Sequence, residues 1–290
     1  EPISLKTPTI SGSIHGFGYG HHSNDQNQLV DGINIHDTRP TGKGVSGSAI
    51  AKSSSHPHDV IMKRASDHPD KKLRGMDALS SSKREVLYHN LANNFFNMGK
   101  HVPLTAGFSK DGEEYSIQKM IPADHVKLDN INHINAIKRA HENGDLDKMA
   151  IMDNIAGYHD RHSGNYMLDK DGKINLIDNA TAFDYRNVDQ NSVPHFYNVA
   201  MAKLPNIDKS QNKLHPDAVK WLKSLDENKA RDFFANHSYP QDSEHVKGFI
   251  TRLKTLQDAV DKPYSNVEQL LSNNRLSSGP MYIHPTEEVA

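Results

Sequence analysis

YHDRHSGNYMLDKDGKINLIDNATAF, residues Tyr158–Phe183, decides how this chain is read. It crowds four aspartates and two histidines around two short apolar runs. Asp171-Gly172 is a strong turn signal between Tyr166–Leu168 and Ile174–Ile177, so the segment reads as a β-hairpin. A hairpin folds back on itself, so the loop before it and the residue after it meet. Asp160, Asn165 and Asp178 then share one mouth, while Asp169 and Asp171 lie at the far end. Asn165 and Asp178 offer hard oxygen ligands of the kind Mg2+ takes, since that ion uses few protein ligands and completes its shell with water and phosphate oxygens. Asp160 stays free to accept or orient a hydroxyl proton. The plainer reading is a hairpin whose polar ends only bond each other. The five-residue step from Asp160 to Asn165, with Asp178 another 13 residues on, favours an assembled site.

Upstream, TGKGVSGSA places Gly42, Gly44 and Gly47 before the apolar runs Ala49-Ile50 and Val60–Met62, which read as two strands. Lys63 ends the second run, and Lys52 is its competitor in AIAK. SSKREVLYHNLANNFFNMGK, residues 81–100, reads as a helix with Leu87, Leu91, Phe95 and Met98 on one stripe. Ser82 and Glu85 fit a capping box at its start and Gly99 its stop. A second hairpin turns at Asp111-Gly112, with Pro122 closing it. Downstream the pattern is helical. One helix begins with Asp145 as a possible cap and stops near Gly157, and others cover about 216–225, 227–236 and 243–261. In the last, Val246, Ile250, Leu253 and Leu256 share a face. Residues 1–40, rich in Gly, Ser, His and Asn, are expected to form an extended or partly disordered arm. The divisions expected are this arm, a sheet-rich lobe at 41–122, a helical lobe at 123–262 and a patternless tail at 263–290. A cleft between the lobes is the natural ligand site.

H-D-R-H-S-G-N followed by I-D resembles the protein-kinase superfamily. It is similar to the H-R-D-x4-N loop with the D-F-G aspartate after it. The D-R-H-x-G-N wording is closer to atypical branches, such as bacterial effector kinases, phosphatidylinositol kinases and actin-fragmin-type kinases. The resemblance implies an α+β, bilobal protein-kinase-like fold, with a small β-rich N-lobe and a larger, mostly helical C-lobe. It implies ATP and Mg2+ as cofactors. Gly42, Gly44 and Gly47 would cover the phosphates, and Lys63, held by Glu85, would bind the α- and β-phosphates. Gln118 and Met120 would stand at the adenine on a hinge over residues 118–122. Asn165 and Asp178 would hold the metal, and Asp160 would orient the acceptor. His162 would take the place of the usual catalytic-loop lysine, facing the γ-phosphate. The departures matter: His159 stands where the family has Arg, Asn179-Ala180 replaces the Phe-Gly after Asp178, and no A-P-E follows. Switching by a classical activation loop is therefore not expected. The acceptor implied is a protein Ser/Thr or Tyr hydroxyl, on a host protein if the chain is a bacterial effector. A lipid headgroup, a small molecule, AMP transfer and a non-catalytic nucleotide-binding module are the other readings.

The totals constrain rather than identify. A chain of 290 residues can bury a sizeable core. A net charge of -2 carries no signature of nucleic acid or an anionic membrane surface. Without cysteine there are no disulfides or thiolate metal sites. The 19 histidines are scattered, and the only tight groups, Gly20-His21-His22 and His56-Pro57-His58, read as solvated loops. The chain opens on Glu1, which reads as a trimmed or processed start. No apolar run approaches the roughly 18 residues of a membrane span. A monomer acting in a cytosol, its own or a host's, is expected.

Overall fold

The computed structural model describes residues 22–41, 48–55, 57–65, 79–158, 160–183 and 195–276. The N-terminal part is a five-stranded antiparallel sheet in the order β1-β2-β3-β5-β4. Its strands are β1 (Ile33–Pro40), β2 (Ser48–Ser53), β3 (Val60–Arg64), β4 (Thr105–Lys110) and β5 (Glu113–Lys119). Helix α1 (Asn24–Asp31) precedes them and α2 (Ser81–Asn94) lies between β3 and β4. The hairpin β4–β5 turns where expected. Asp111 and Gly112 both have positive φ, 53° and 80°, which a two-residue turn of the hairpin hand requires. A second, three-stranded sheet, β6 (Ala123–His125), β7 (Tyr166–Asp169) and β8 (Ile174–Leu176), carries the hairpin of the opening stretch. Around it stand α3 (Ile131–Glu142), α4 (Asp145–Ile155), α5 (His195–Lys203), α6 (Pro216–Ser224), α7 (Glu227–Asn236), α8 (Glu244–Ala259) and α9 (Val267–Leu276). Among the described residues no helix is long and apolar enough to cross a membrane.

Two apolar cores follow from this arrangement. The smaller joins Leu29, Val30, Ile33, Ala51, Val60, Ala106, Phe108 and Ile117 between α1 and the sheet. The larger runs from Leu87 and Leu91 of α2 through Met149, Ile151 and Met152 of α4 to Val246, Leu253 and Leu256 of α8. The α+β, bilobal class expected from the sequence is present: a small sheet-rich body beside a larger helical one. Helix α2 belongs to both, since its apolar side packs into the helical core while its flanks touch the sheet.

Several boundaries move. Of the expected arm, residues 1–21 lie outside the described residues, and residues 24–40 are regular structure. Ser23 accepts from the Gln26 backbone while the Gln26 side chain accepts from the Ser23 N–H, a reciprocal capping box that starts α1. Leu29, Val30 and Ile33 are then buried, and β1 pairs with β2 across a register shift between Asn34 and Thr38. The sheet-rich lobe thus begins before residue 41. Nor is the stretch after Pro263 patternless: α9 buries Val267, Leu270 and Leu271, and the Asn154 amide donates to the Leu271 carbonyl. The α2 cap is Ser80, which accepts from the Lys83 N–H, so the Ser82–Glu85 capping box does not form and Glu85 is released for other contacts. That helix ends at Asn94, before Gly99. Asp145 is the first residue of α4, after Gly144 at the cap. Helices α3 and α5 and strand β6 are additional to the expected elements; α3 is capped by Asn130 and buries His133, Ala136, Ile137 and Ala140, a stripe at i, i+3, i+4 and i+7.

Candidate active site

The hairpin β7–β8 does what its sequence requires. Its turn lies at Asp171-Gly172, with Gly172 at φ 78°, and Tyr166 faces Leu176 across the ladder. The loop before β7 and the residues after β8 are tied directly, since the Ile177 N–H donates to the Asn165 carbonyl at 3.1 Å. Asp160, Asn165 and Asp178 are therefore gathered at one end, and Asp169 is spent on its own turn, accepting from the Asp171 and Lys173 backbones.

Lys63 at the end of β3 reaches across to this end. Its ammonium donates to Glu85 Oε1 at 2.8 Å and to Asp178 Oδ1 at 2.9 Å. Burial alone would lower the lysine's pKa, but the two carboxylates outweigh it and hold the ammonium well above its ordinary range. Glu85 is buried, with 3% of its side chain exposed, and its second oxygen accepts from the Asn179 N–H at 3.0 Å. Asp178 is half exposed and sits in the left-handed region, φ 55° and ψ 56°, which Asp tolerates better than most residues. The competitor Lys52 is exposed on β2, with Asp37 3.8 Å away, and takes no part in this cluster. Of the two lysines, Lys63 is the one the fold brings to Glu85 and Asp178.

The loop 158–165 is held from beneath. The Asn165 amide donates to the Asp160 carbonyl at 2.7 Å and to the Tyr158 hydroxyl at 3.0 Å. That hydroxyl in turn donates to the Asp178 carbonyl at 2.8 Å. With both amide protons engaged, the side-chain oxygen of Asn165, Oδ1, is left without a hydrogen bond among the described residues, as is Asp178 Oδ2. These two oxygens are a donor set that fits Mg2+. Among the described residues no group of three or more His, Cys, Asp and Glu could hold a metal. An ion on Asn165 and Asp178 would draw the rest of its shell from phosphate and water. Asp160 is exposed at the mouth. His162 is exposed too, its Nδ1 accepting from the Gly164 N–H at 3.1 Å, so a neutral ring carries its proton on the outward Nε2.

Sequence reasoning missed Arg161. It is buried, and its Nε and Nη2 grip both oxygens of Asp153 on α4 at 2.9 Å. Its Cζ lies 3.8 Å over the Tyr158 ring. Half of the signal was present: Asp153 interrupts the apolar run Ala150–Ile155, and an aspartate inside such a helix needs a cationic partner, but no spacing names Arg161 as that partner.

The adenine-side expectations fare differently. Gln118 lies within β5, its backbone in register with Ile61 and Thr105 and its amide donating to Thr105 Oγ1 at 2.9 Å. It is part of the sheet and not of the connection between the bodies, because β5 runs on to Lys119. Met120 begins that connection, and its N–H donates to the Asp59 carbonyl at 3.0 Å. Gly42, Gly44, Gly47 and His159 lie outside the described residues.

No family model matches the chain, and no curated protein matches it either. Among solved structures it is similar to the pseudokinase domain of BIR2, an immune regulator of the RLK/Pelle family. The identity is 12% and the TM-score 0.35, over 84% of this chain and 80% of that one. With likeness that low, function rests on the residues of the site.

Proposed function

We propose that this chain is a protein-kinase-like phosphotransferase that moves the γ-phosphate of ATP to a protein Ser/Thr or Tyr hydroxyl. The observation that supports it is the convergence of Lys63, Glu85 and Asp178 within 2.9 Å contacts beside Asn165 and Asp160. An ammonium has three N–H groups. Glu85 and Asp178 take two, and the third is available to the α- and β-phosphates. Asn165 and Asp178 would hold Mg2+, which when bound neutralises charge on the transferring phosphate. Asp160, exposed at the mouth, orients the acceptor hydroxyl and takes its proton as the new P–O bond forms and ADP leaves. The exposed His162, with its proton on Nε2, would stabilise charge on the phosphoryl oxygens. Most of the rate gain in such a site comes from positioning and preset charge. The acceptor would be a host protein if the chain works as a bacterial effector.

The test is intact-mass analysis of candidate acceptor proteins from a host lysate after incubation with Mg2+ and ATP. A mass gain of one phosphate, lost in Asp160→Ala and in Asp178→Ala, is the expected result. A gain of AMP would replace this reading with nucleotidyl transfer. Wild-type activity in both folded variants would refute the site.

A further inference from the structure

A guanidinium carries five N–H groups in a rigid fork. Arg161 offers them to Asp153 through Nε and Nη2, to the Asn179 side chain at 2.8 Å, and to the Tyr88 hydroxyl at 3.3 Å. Its Nη1 donates to the Ile177 carbonyl at 2.8 Å and to the Asn165 carbonyl at 3.3 Å. Those last two partners matter most. Asn165 carries one candidate metal ligand, and Ile177 is bonded directly to Asp178, which carries the other. One buried side chain therefore spans the backbones of both. Tyr88 extends the span to α2: its hydroxyl donates to Asp153 Oδ1 at 2.5 Å, one helical turn from Glu85 on the same helix. Arg84, just before Glu85, donates through Nε to the Ala180 carbonyl of the segment after Asp178. Helix α2 thus grips that segment directly through Arg84 and Glu85, and through Tyr88 by way of Arg161, which holds the Asn179 side chain.

We propose that Arg161 is a positioning residue that sets the separation of Asn165 and Asp178, and that Tyr88 makes this separation answer to the placement of α2. The proposal rests on the reading above that these two residues hold Mg2+. Lysine would keep the charge, but not the fork that reaches carboxylate, amide and two carbonyls at once.

Binding, not turnover, tests it. Mn2+ serves as the probe, with free ion counted by electron paramagnetic resonance in the presence of ADP, on the full chain. ADP binding without metal is measured alongside by calorimetry. Arg161→Lys is expected to weaken Mn2+ binding by about 10- to 100-fold, the usual cost of disturbing the groups that orient metal ligands. Tyr88→Phe, which leaves the Arg161–Asp153 pair in place, is expected to weaken it about fivefold, the loss of one hydrogen bond. Metal-free ADP binding stays as in the wild type for both. Leu222→Ala, which opens the core under α6 away from the site, controls for general loss of stability and leaves Mn2+ binding within about twofold. If the wild type binds no Mn2+, the metal reading itself fails. If the wild type binds and both folded variants match it within about twofold, the positioning role is overturned. Weakening by Leu222→Ala as large as that by Arg161→Lys overturns it too. Should Arg161→Lys fail to fold, Tyr88→Phe decides alone, and an unchanged Tyr88→Phe removes the link to α2.

Discussion

Asp153→Ala is the most informative perturbation of stability. Asp153 and Arg161 are an ion pair with 3% and 1% of their side chains exposed. Removing the carboxylate leaves the guanidinium buried with its Nε and one Nη2 contact unanswered, and strips the Tyr88 hydroxyl of its acceptor. Burial, with the Asp153 carboxylate beside it, holds that phenol well above its ordinary pKa in the wild type. Breaking one half of a buried pair costs about 3–5 kcal/mol, because an uncompensated charge remains. At about 2–4 °C per kcal/mol for a chain of comparable size, Tm should fall by about 10 °C. The single tryptophan, Trp221, donates to the Phe96 carbonyl inside the helical body, and its fluorescence during urea unfolding reports the midpoint. The double variant Asp153→Ala with Arg161→Met should lose less than the sum of the single losses, since no naked charge remains. A cost below about 1 kcal/mol for Asp153→Ala, or single effects that simply add, would refute the pairing as the anchor of this loop.

Two further outcomes are expected. Lys63→Met should abolish Mg2+–ATP-dependent thermal stabilisation, whereas Lys52→Met, at an exposed position on β2, should leave it unchanged; a thermal-shift titration separates the two. His89 on α2 is buried, and burial pushes its imidazole down to about 4 despite a bond to the Pro103 backbone. A folded value below the unfolded value of about 6.5 means the unfolded chain takes the proton first as pH falls. The stabilising contribution is therefore complete above about pH 6.5, declines down to about pH 4 and is gone below that, about 3 kcal/mol in all. Urea midpoints of wild type and His89→Leu, measured across this range, should differ in slope below about pH 6.5 and run parallel above it. A difference that stayed constant with pH would refute the assignment.

Much of the site was legible because it depends on local rules. A turn dipeptide between two apolar runs places the hairpin, and hairpin geometry alone gathers Asp160, Asn165 and Asp178. Lys63 was legible as the end of a strand. The preference for Lys63 over Lys52 came from the resemblance and its spacing; the register adds that Lys63 is the one whose side chain meets Glu85 on α2. Glu85 shows the limit of local rules: it satisfied a capping-box pattern, yet a neighbouring serine took the cap and tertiary contacts took the glutamate. Gln118 read as the start of the connection because the end of a strand is the least certain part of a sequence pattern, and β5 extends one residue past it. Arg161 and Asp153 were invisible as a pair because they meet by packing rather than by helical spacing on one element. The α1 helix was hidden by its composition: Ser23, Asn24, Asp25, Gln26, Asn27 and Gln28 read as a polar loop, while only Leu29 and Val30 signal burial.

That first helix and its strand also change where the protein can be cut. β1 is an outer strand of the five-stranded sheet, and it covers β2 along one edge. The Gln26 amide donates to Asn90 Oδ1 on α2 at 2.7 Å and to the Thr105 carbonyl on β4 at 2.8 Å. A fragment starting at Thr41, the natural choice if residues 1–40 were a dispensable leader, would open the β2 edge to strand exchange with another molecule. It would also remove Leu29, Val30 and Ile33 from the small core they share with Val60 and Ile117. The folding unit therefore includes Ser23 and all that follows it to β1, and this polar-looking stretch guards the sheet against self-association.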